Sequence, residues 1–141
     1  MTTRAAVVAE TRSWLATPYH HHARIKGVGV DCAQILCAVF EAVGMVAPVD
    51  TGFYPTDWHL HHSEERYMAW LDRYGRRLAL DEQAQPGDVA LFQFGRCYSH
   101  GAIVVEPELL VHAYIGRGVI LSRMTEDPLA GRLVKYWSLF K

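Results

Sequence analysis

The sequence lacks any apolar run approaching the ~20 residues that a transmembrane helix needs, so we predict no membrane span. Its N-terminal segment also lacks the apolar core and cleavage site of a secretory signal peptide, and we expect the chain to be made in the cytoplasm without one. The formal net charge of -1 provides no general attraction to nucleic acid or to anionic membranes. Nucleic acid is therefore not an expected partner.

Cysteine is scarce, and its three occurrences are an odd number at unrelated spacings: Cys32, Cys37 and Cys97. This argues against a disulfide framework and against a four-cysteine zinc site. Histidine is more frequent, but neither cluster, 20–22 or 59–62, has the helical spacing with a nearby glutamate that hydrolytic zinc sites use. We therefore predict no metal and no other cofactor.

The chain contains no internal repeat, low-complexity tract or long linker, and its length suits one domain covering residues 1–141. Helical periodicity marks three segments in the first part of the chain: about 3–15, 32–43 and 63–74. Short apolar runs between turn residues then predict five strands: 89–94, 101–105, 109–115, 119–122 and 133–137. Helices followed by hairpin-linked strands favour the α+β class, with N-terminal helices packed on an antiparallel sheet of about five strands.

A glycine-rich loop leads directly into the second helical segment, and Cys32 stands at the start of that helix. Asp31 is a good N-cap, Gln34 completes a capping-box pattern, and Gly44 is a natural stop. Unpaired backbone N–H groups and the positive end of the helix dipole favour an anion there, which predicts an easily ionised, reactive thiol. A small buried residue at the start of a core helix would give the same local pattern.

A nucleophilic cysteine needs a base nearby, and His100 and His112 fall in two predicted strands joined by a tight turn. If Val105 pairs with Leu109 across that turn, the two histidines share one face of the hairpin and lie diagonally, within contact distance. A slip of one residue would place them on opposite faces. Either histidine alone could simply fill or cap the sheet.

These residues belong to five short motifs in one order: Thr17-Pro18-Tyr19, Asp31-Cys32 after the glycine-rich loop, Pro86-Gly87-Asp88-Val89, His100-Gly101-Ala102-Ile103 and Val111-His112-Ala113. In this order the chain resembles the NlpC/P60 cysteine peptidases, a circularly rearranged relative of the papain fold, from about residue 14 to residue 119. Within that family the chain resembles the phage-encoded cell-wall peptidases linked to tail assembly, because of its loop before the cysteine and its lack of further domains.

The resemblance implies that Cys32 is the nucleophile, His100 the general base and His112 the residue that orients His100. It also implies that Tyr19, with Asp31, supports the site or the oxyanion. The backbone N–H of Cys32 is a further oxyanion donor by its position at a helix start. Where the family commonly has serine after the cysteine, this chain has Ala33.

The resemblance implies hydrolysis of peptidoglycan stem peptides, at bonds between D-glutamate and a diamino acid. The expected partners are peptidoglycan peptides and phage tail proteins, and the expected place of action is the bacterial cell wall, reached from a virion tail. Arg24 and Lys26 either contact substrate carboxylates or form a solvated basic loop. Two other functions fit the same features: a structural tail-assembly component, and a cysteine-dependent amidase or acyltransferase.

Overall fold

The structure, a computed structural model, describes residues 2–48 and 66–140. The 59–62 histidine cluster and the predicted start of the third helix at Ser63 lie outside the described residues. Within the described ranges, no helix combines the length and the apolar character that crossing a membrane requires.

Three helices and eight strands make up the described chain. The helices are α1 (Arg4–Arg12), α2 (Gln34–Ala42) and α3 (Arg66–Tyr74). A short antiparallel hairpin precedes α2 and consists of β1 (Arg24–Ile25) and β2 (Gly29–Val30). The remaining strands are β3 (Arg76–Arg77), β4 (Val89–Phe94), β5 (Cys97–Glu106), β6 (Leu109–Tyr114), β7 (Gly118–Arg123) and β8 (Val134–Ser138).

The main sheet has six antiparallel strands in the order β3-β8-β4-β5-β6-β7. The α+β class and all five predicted strands are confirmed. The additional strand is β3, which pairs with β8 at the edge of the sheet. Its two arginines are exposed, so no apolar pattern marks it in the sequence.

Side chains on the two sheet faces pack into two separate clusters, because successive residues of a strand point to opposite faces. On β5, Ile103 and Val105 belong to the larger cluster, and Ala102 and Val104 to the smaller. The apolar stripe of α2 packs in the larger cluster, with members Ile35, Leu36, Val39 and Phe40. This packing holds the start of α2 against β5.

The pairing of β5 with β6 decides where the two histidines lie. In the body of the hairpin the predicted register is confirmed by two pairs, Ile103 with Val111 and Val104 with Leu110. At the turn the prediction is wrong, because Glu106 rather than Val105 pairs with Leu109. Val105 is an extra residue in a bulge there, and Glu108 in the shortened turn has a φ of 62°. The bulge lies on the turn side of the confirmed pairs, so it leaves the register toward the histidines unchanged.

The Pro86-Gly87-Asp88 turn is fixed to the start of α1. The Asp88 carboxylate is 2% exposed and lies 2.8 Å from Arg4 Nη1. Its second oxygen accepts a hydrogen bond from the Gln85 N–H at 2.9 Å. Arg4 also donates to the Pro86 carbonyl. The buried carboxylate is therefore paired and hydrogen-bonded, and this motif serves the scaffold that carries β4.

Candidate active site

The turn that carries Cys32 is closed by Asp31. The Asp31 carbonyl accepts from the Ile35 N–H at 3.1 Å. Asp31 Oδ1 accepts from the N–H groups of Ala33 at 3.0 Å and Gln34 at 2.8 Å. Regular helix begins at Gln34, and Cys32 occupies the turn before it. Asp31 therefore satisfies backbone donors at the helix start, which is the role of an N-cap.

The second carboxylate oxygen of Asp31 holds the loop that precedes the β1–β2 hairpin. Asp31 Oδ2 accepts from the His22 N–H at 2.7 Å and lies 3.8 Å from His21 Nδ1. Asp31 is 1% exposed, so these bonds form out of contact with water. Asp31 thus fixes the backbone on both sides of the turn that carries Cys32.

Cys32 lies against the part of β5 that surrounds His100. Its Sγ donates to the Ser99 carbonyl oxygen at 3.6 Å, and its own carbonyl accepts from Tyr67 Oη at 2.7 Å. A Cβ added to Gly101 would lie 2.5 Å from Tyr67 Oη, so only glycine allows this close approach. The sequence analysis did not predict this bond between Tyr67 of α3 and the turn that carries Cys32.

A second bulge directs His100. Phe92 of β4 pairs with His100 and the next residue, Gln93, pairs with Tyr98, so Ser99 is an extra residue in β5. Bulges bend a strand and change the direction of its side chains. Here the bulge turns the Ser99 carbonyl toward Cys32 and places His100 immediately after it.

The two histidines meet, as the register argument predicts. His100 Nε2 lies 2.7 Å from His112 Nδ1, with the two rings at 89°. On its other side, His112 Nε2 lies 2.8 Å from Ser122 Oγ. All three residues are buried, and Ser122 is a member of this hydrogen-bonded chain that the sequence analysis missed. The available signal was a serine inside an otherwise apolar strand.

Aromatic rings enclose the histidine pair. The Phe94 ring centroid lies 4.8 Å from that of His100, and Tyr114 lies 5.8 Å from His100 and 6.1 Å from His112. The Arg132 guanidinium lies 3.5 Å from the Phe94 ring centroid. Phe94 and Tyr114 are half-buried, so they form a wall between the histidine pair and solvent.

Tyr19 lies beside Cys32, as the resemblance implies. Burial raises the pKa of its hydroxyl far above the ordinary value, and Cys32 and the Asp31 carboxylate beside it act in the same direction. The hydroxyl therefore keeps its proton at neutral pH and can donate a hydrogen bond to a developing oxyanion.

Arg24 and Lys26 have partners within the protein. Arg24 donates to Gln34 Oε1 at 2.8 Å and pairs with the Glu41 carboxylate. Lys26 Nζ lies 2.8 Å from Glu10 Oε2. Of the two roles considered for this loop, these contacts argue against the binding of substrate carboxylates, because both cations are already engaged by side chains of the helices. Among the described residues, no group of three histidine, cysteine or acidic side chains could hold a metal ion.

The expectation of an easily ionised thiol is wrong for the resting protein. Burial raises the pKa of Cys32 to about 12, and the Asp31 carboxylate acts in the same direction. The backbone N–H groups of Gly101, Cys32 and Ala33 oppose this effect but do not overcome it. The Ser99 carbonyl beside Sγ also favours the protonated form. Cys32 is therefore a thiol until a base removes its proton.

We expect the resting protein to alkylate slowly at Cys32. Because the pKa of this thiol is raised to about 12, the reactive thiolate is rare at neutral pH. The iodoacetamide rate, followed by mass spectrometry, should keep rising with pH beyond the ~8.5 of a free thiol, with no plateau below it. A plateau near pH 6 that disappears in His100→Ala would instead show a thiolate–imidazolium pair in the resting protein.

His112 is neutral in the folded protein. Burial, and secondarily the charge of Arg117, lower its pKa from 6.5 to about 4. The unfolded chain therefore binds a proton between these two values that the folded chain does not bind. Stability from this residue is complete above the unfolded pKa and decreases as the pH falls toward the folded one.

This difference predicts an acid-dependent loss of stability. With the pKa moving from 6.5 to about 4 on folding, the free energy of unfolding should fall by about 3 kcal/mol on going from neutral pH to pH 4. The measurement is urea unfolding at a series of pH values, for the wild type and for His112→Gln, in which the titrating group is absent. If the two curves keep a constant separation, the lowered pKa is wrong.

Comparison with known proteins identifies the family of the chain. The sequence profile of the NlpC/P60 family matches residues 16–138. The chain belongs to the NlpC/P60 family. A comparison with curated proteins gave no match.

Solved NlpC/P60 structures share the fold. The NlpC/p60 domain of the peptidoglycan hydrolase SagA superposes with a TM-score of 0.66 at 20% identity, over 94% of this chain and 97% of that domain. The peptidoglycan hydrolase RipB of Mycobacterium tuberculosis gives 0.66 at 18% identity, over 98% of this chain and 65% of RipB. NlpC1 of Trichomonas vaginalis gives 0.69 at 13% identity, over 97% of this chain and 44% of NlpC1. At these identities, the likeness concerns the NlpC/P60 fold.

Proposed function

We propose that this NlpC/P60 protein is a cysteine endopeptidase that hydrolyses stem-peptide bonds of bacterial peptidoglycan. The observation that carries the proposal is the placement of Cys32 against the Ser99–Gly101 segment, whose central residue, His100, is bonded to His112. Nucleophilic catalysis needs this combination: a thiol, a base, and a third group that orients the base. Two relatives of the same fold, SagA and RipB, are peptidoglycan hydrolases, which supports the choice of substrate.

The first half of the reaction forms a thioester. His100 takes the proton of the Cys32 thiol as the sulfur attacks the peptide carbonyl carbon, so the thiolate need not exist beforehand. His100 Nε2 is engaged by His112, and proton exchange with the thiol therefore uses Nδ1. When the tetrahedral intermediate collapses, His100 returns this proton to the leaving amine.

The second half of the reaction hydrolyses the thioester. Water attacks the thioester and passes a proton to His100, the carboxylate product leaves, and Cys32 regains its proton.

The oxyanion of the tetrahedral intermediate has two donors in reach. The backbone N–H of Cys32 stands at a helix start, and the Tyr19 hydroxyl remains protonated beside it. Donors fixed before the reaction stabilise developing charge without reorganising, and each one typically contributes about 10²–10³-fold to the rate. This assignment gives Tyr19 a direct role in the transition state.

The bond proposed for cleavage joins D-glutamate, through its γ-carboxyl, to the diamino acid of the stem peptide. We further propose action from a phage tail on the bacterial cell wall, with tail proteins as partners. The proposed bond rests on the resemblance to the NlpC/P60 family as a whole, and the phage-tail association rests on the resemblance of the loop before Cys32 to phage-encoded cell-wall peptidases. A purely structural tail role is disfavoured. Buried polar side chains must be hydrogen-bonded to one another, and apolar residues would fill the same space without this requirement, so packing alone does not explain a buried histidine pair and serine.

The test is digestion of purified muropeptides that carry either diaminopimelate or lysine, with products identified by mass spectrometry. We expect release of the diamino acid with a free α-amino group, and no release by the matched Cys32→Ser variant. Cleavage between the sugar and the peptide would favour an amidase, and transfer to an added amine an acyltransferase. An unchanged substrate after complete incubation would refute the hydrolase proposal for this chain.

A further inference from the structure

Ser122 carries a buried hydroxyl, and apolar packing does not explain a polar group at this position. It is 2% exposed on β7, and its pairing partner across the sheet is Leu110. The next residue of β6 on the same face is His112, whose Nε2 lies 2.8 Å from Ser122 Oγ. A hydroxyl buried among apolar groups costs free energy unless it is hydrogen-bonded, and His112 supplies the bond.

The direction of this bond matters for the base. His100 can accept a proton at Nδ1 only if its own hydrogen is on Nε2, which then donates to His112 Nδ1. A neutral His112 that accepts at Nδ1 carries its hydrogen on Nε2, pointing at Ser122 Oγ. The opposite arrangement leaves the hydrogen of His100 on Nδ1, where no proton can be taken from Cys32.

Protonation of His100 during the reaction removes this ambiguity. A doubly protonated His100 must donate from Nε2, so His112 must accept at Nδ1 and Ser122 must accept from His112. Among residues 2–48 and 66–140, the groups beside His112 that carry charge or titrate are His100, Tyr114 and Arg117. His100 is already bonded to the other ring nitrogen, and a guanidinium has no acceptor to offer to Nε2.

We propose that Ser122 is a positioning residue: its oxygen accepts from His112 Nε2 and so keeps both histidines in the tautomers that let His100 act as the base. The catalytic consequence rests on the proposed function, whereas the tautomer assignment does not. The hydroxyl acts through two rings and never touches the substrate. Its loss should therefore lower kcat and leave KM unchanged.

The decisive comparison is Ser122→Thr against Ser122→Val, because these side chains have the same shape and differ in the hydroxyl. Long-range ¹H–¹⁵N NMR spectra at neutral pH report which ring nitrogen of each histidine carries the hydrogen. We expect the wild type and Ser122→Thr to hold His112 with its hydrogen on Nε2. In Ser122→Val, and in the smaller Ser122→Ala, His112 should shift toward the Nδ1–H form.

On muropeptides, kcat should fall about tenfold in Ser122→Val and return in Ser122→Thr, with KM the same in all variants. An unchanged tautomer of His112 in a folded Ser122→Val protein would overturn the proposal, as would a KM effect without a kcat effect. The spectra need no substrate, so they test the tautomer assignment independently of the proposed function. If Ser122→Val changes the tautomer of His112 but the wild type cleaves no muropeptide, the proposed function is wrong and the effect of Ser122 on the tautomers stands.

Discussion

Cys32→Ala should remove all detectable hydrolysis of muropeptides, and His100→Ala should reduce the rate by about 10²–10⁴-fold. Alanine at Cys32 leaves no atom that can form the thioester, so no covalent route remains. Alanine at His100 leaves the thiol with its raised pKa of about 12, so most molecules have no thiolate at the moment of attack. Initial rates at neutral pH, measured by chromatography of the products, give both values.

Cys37→Ala is the matched control for this experiment. Cys37 lies in α2, which follows the turn that carries Cys32, and its side chain is buried in the core. Its removal deletes a thiol without touching Cys32 and should leave the rate close to that of the wild type. Substantial hydrolysis by Cys32→Ala, or an equal loss in Cys37→Ala, would contradict the assignment of Cys32 as nucleophile.

Asp31→Ala should lower the free energy of unfolding by about 4 kcal/mol. The substitution removes a buried carboxylate that accepts from the N–H groups of His22, Ala33 and Gln34. Hydrogen bonds to charged groups contribute about 1.5–3 kcal/mol each, and the donors left behind have little access to water. Urea unfolding at neutral pH measures the loss.

Asp31→Asn separates the charge from the hydrogen bonds. Its carbonyl oxygen can still accept from Ala33 and Gln34, whereas the Oδ2 contacts with His22 and His21 are lost, so about half of the destabilisation should remain. The negative charge that raises the pKa of Cys32 is also removed, and the thiol should alkylate faster at neutral pH. A loss below about 1 kcal/mol in Asp31→Ala would show that the loop and the helix start do not depend on this carboxylate.

Local patterns were sufficient to predict the class of fold, the capping role of Asp31 and the meeting of the two histidines. The predicted first residue of α2 is wrong, because regular helix begins at Gln34 and not at Cys32. The alternation of side chains along a strand is a local property. The wrong prediction of the pairing at Val105 therefore did not change the register predicted toward His112. The missed features depend on contacts between distant parts of the chain. The Ser99 carbonyl that faces Cys32 is 67 residues away in sequence, and no pattern near either residue reveals it.

The same limit explains the error about the thiol. A helix start favours an anion when it faces water, and the sequence shows only the helix start. It does not show that Asp31 is already the anion held there, or that burial disfavours the charged form of the thiol. The edge strand β3 was missed for a different reason: two exposed arginines have no hydrophobic alternation to detect.

The protonated state of Cys32 also affects how readily this side chain is oxidised. Peroxides oxidise cysteine through its thiolate, first to the sulfenic acid and then to forms that cannot be restored. A thiol whose pKa is raised to about 12 exposes little thiolate to such oxidants. Cys32 is thereby held in a form that resists oxidation.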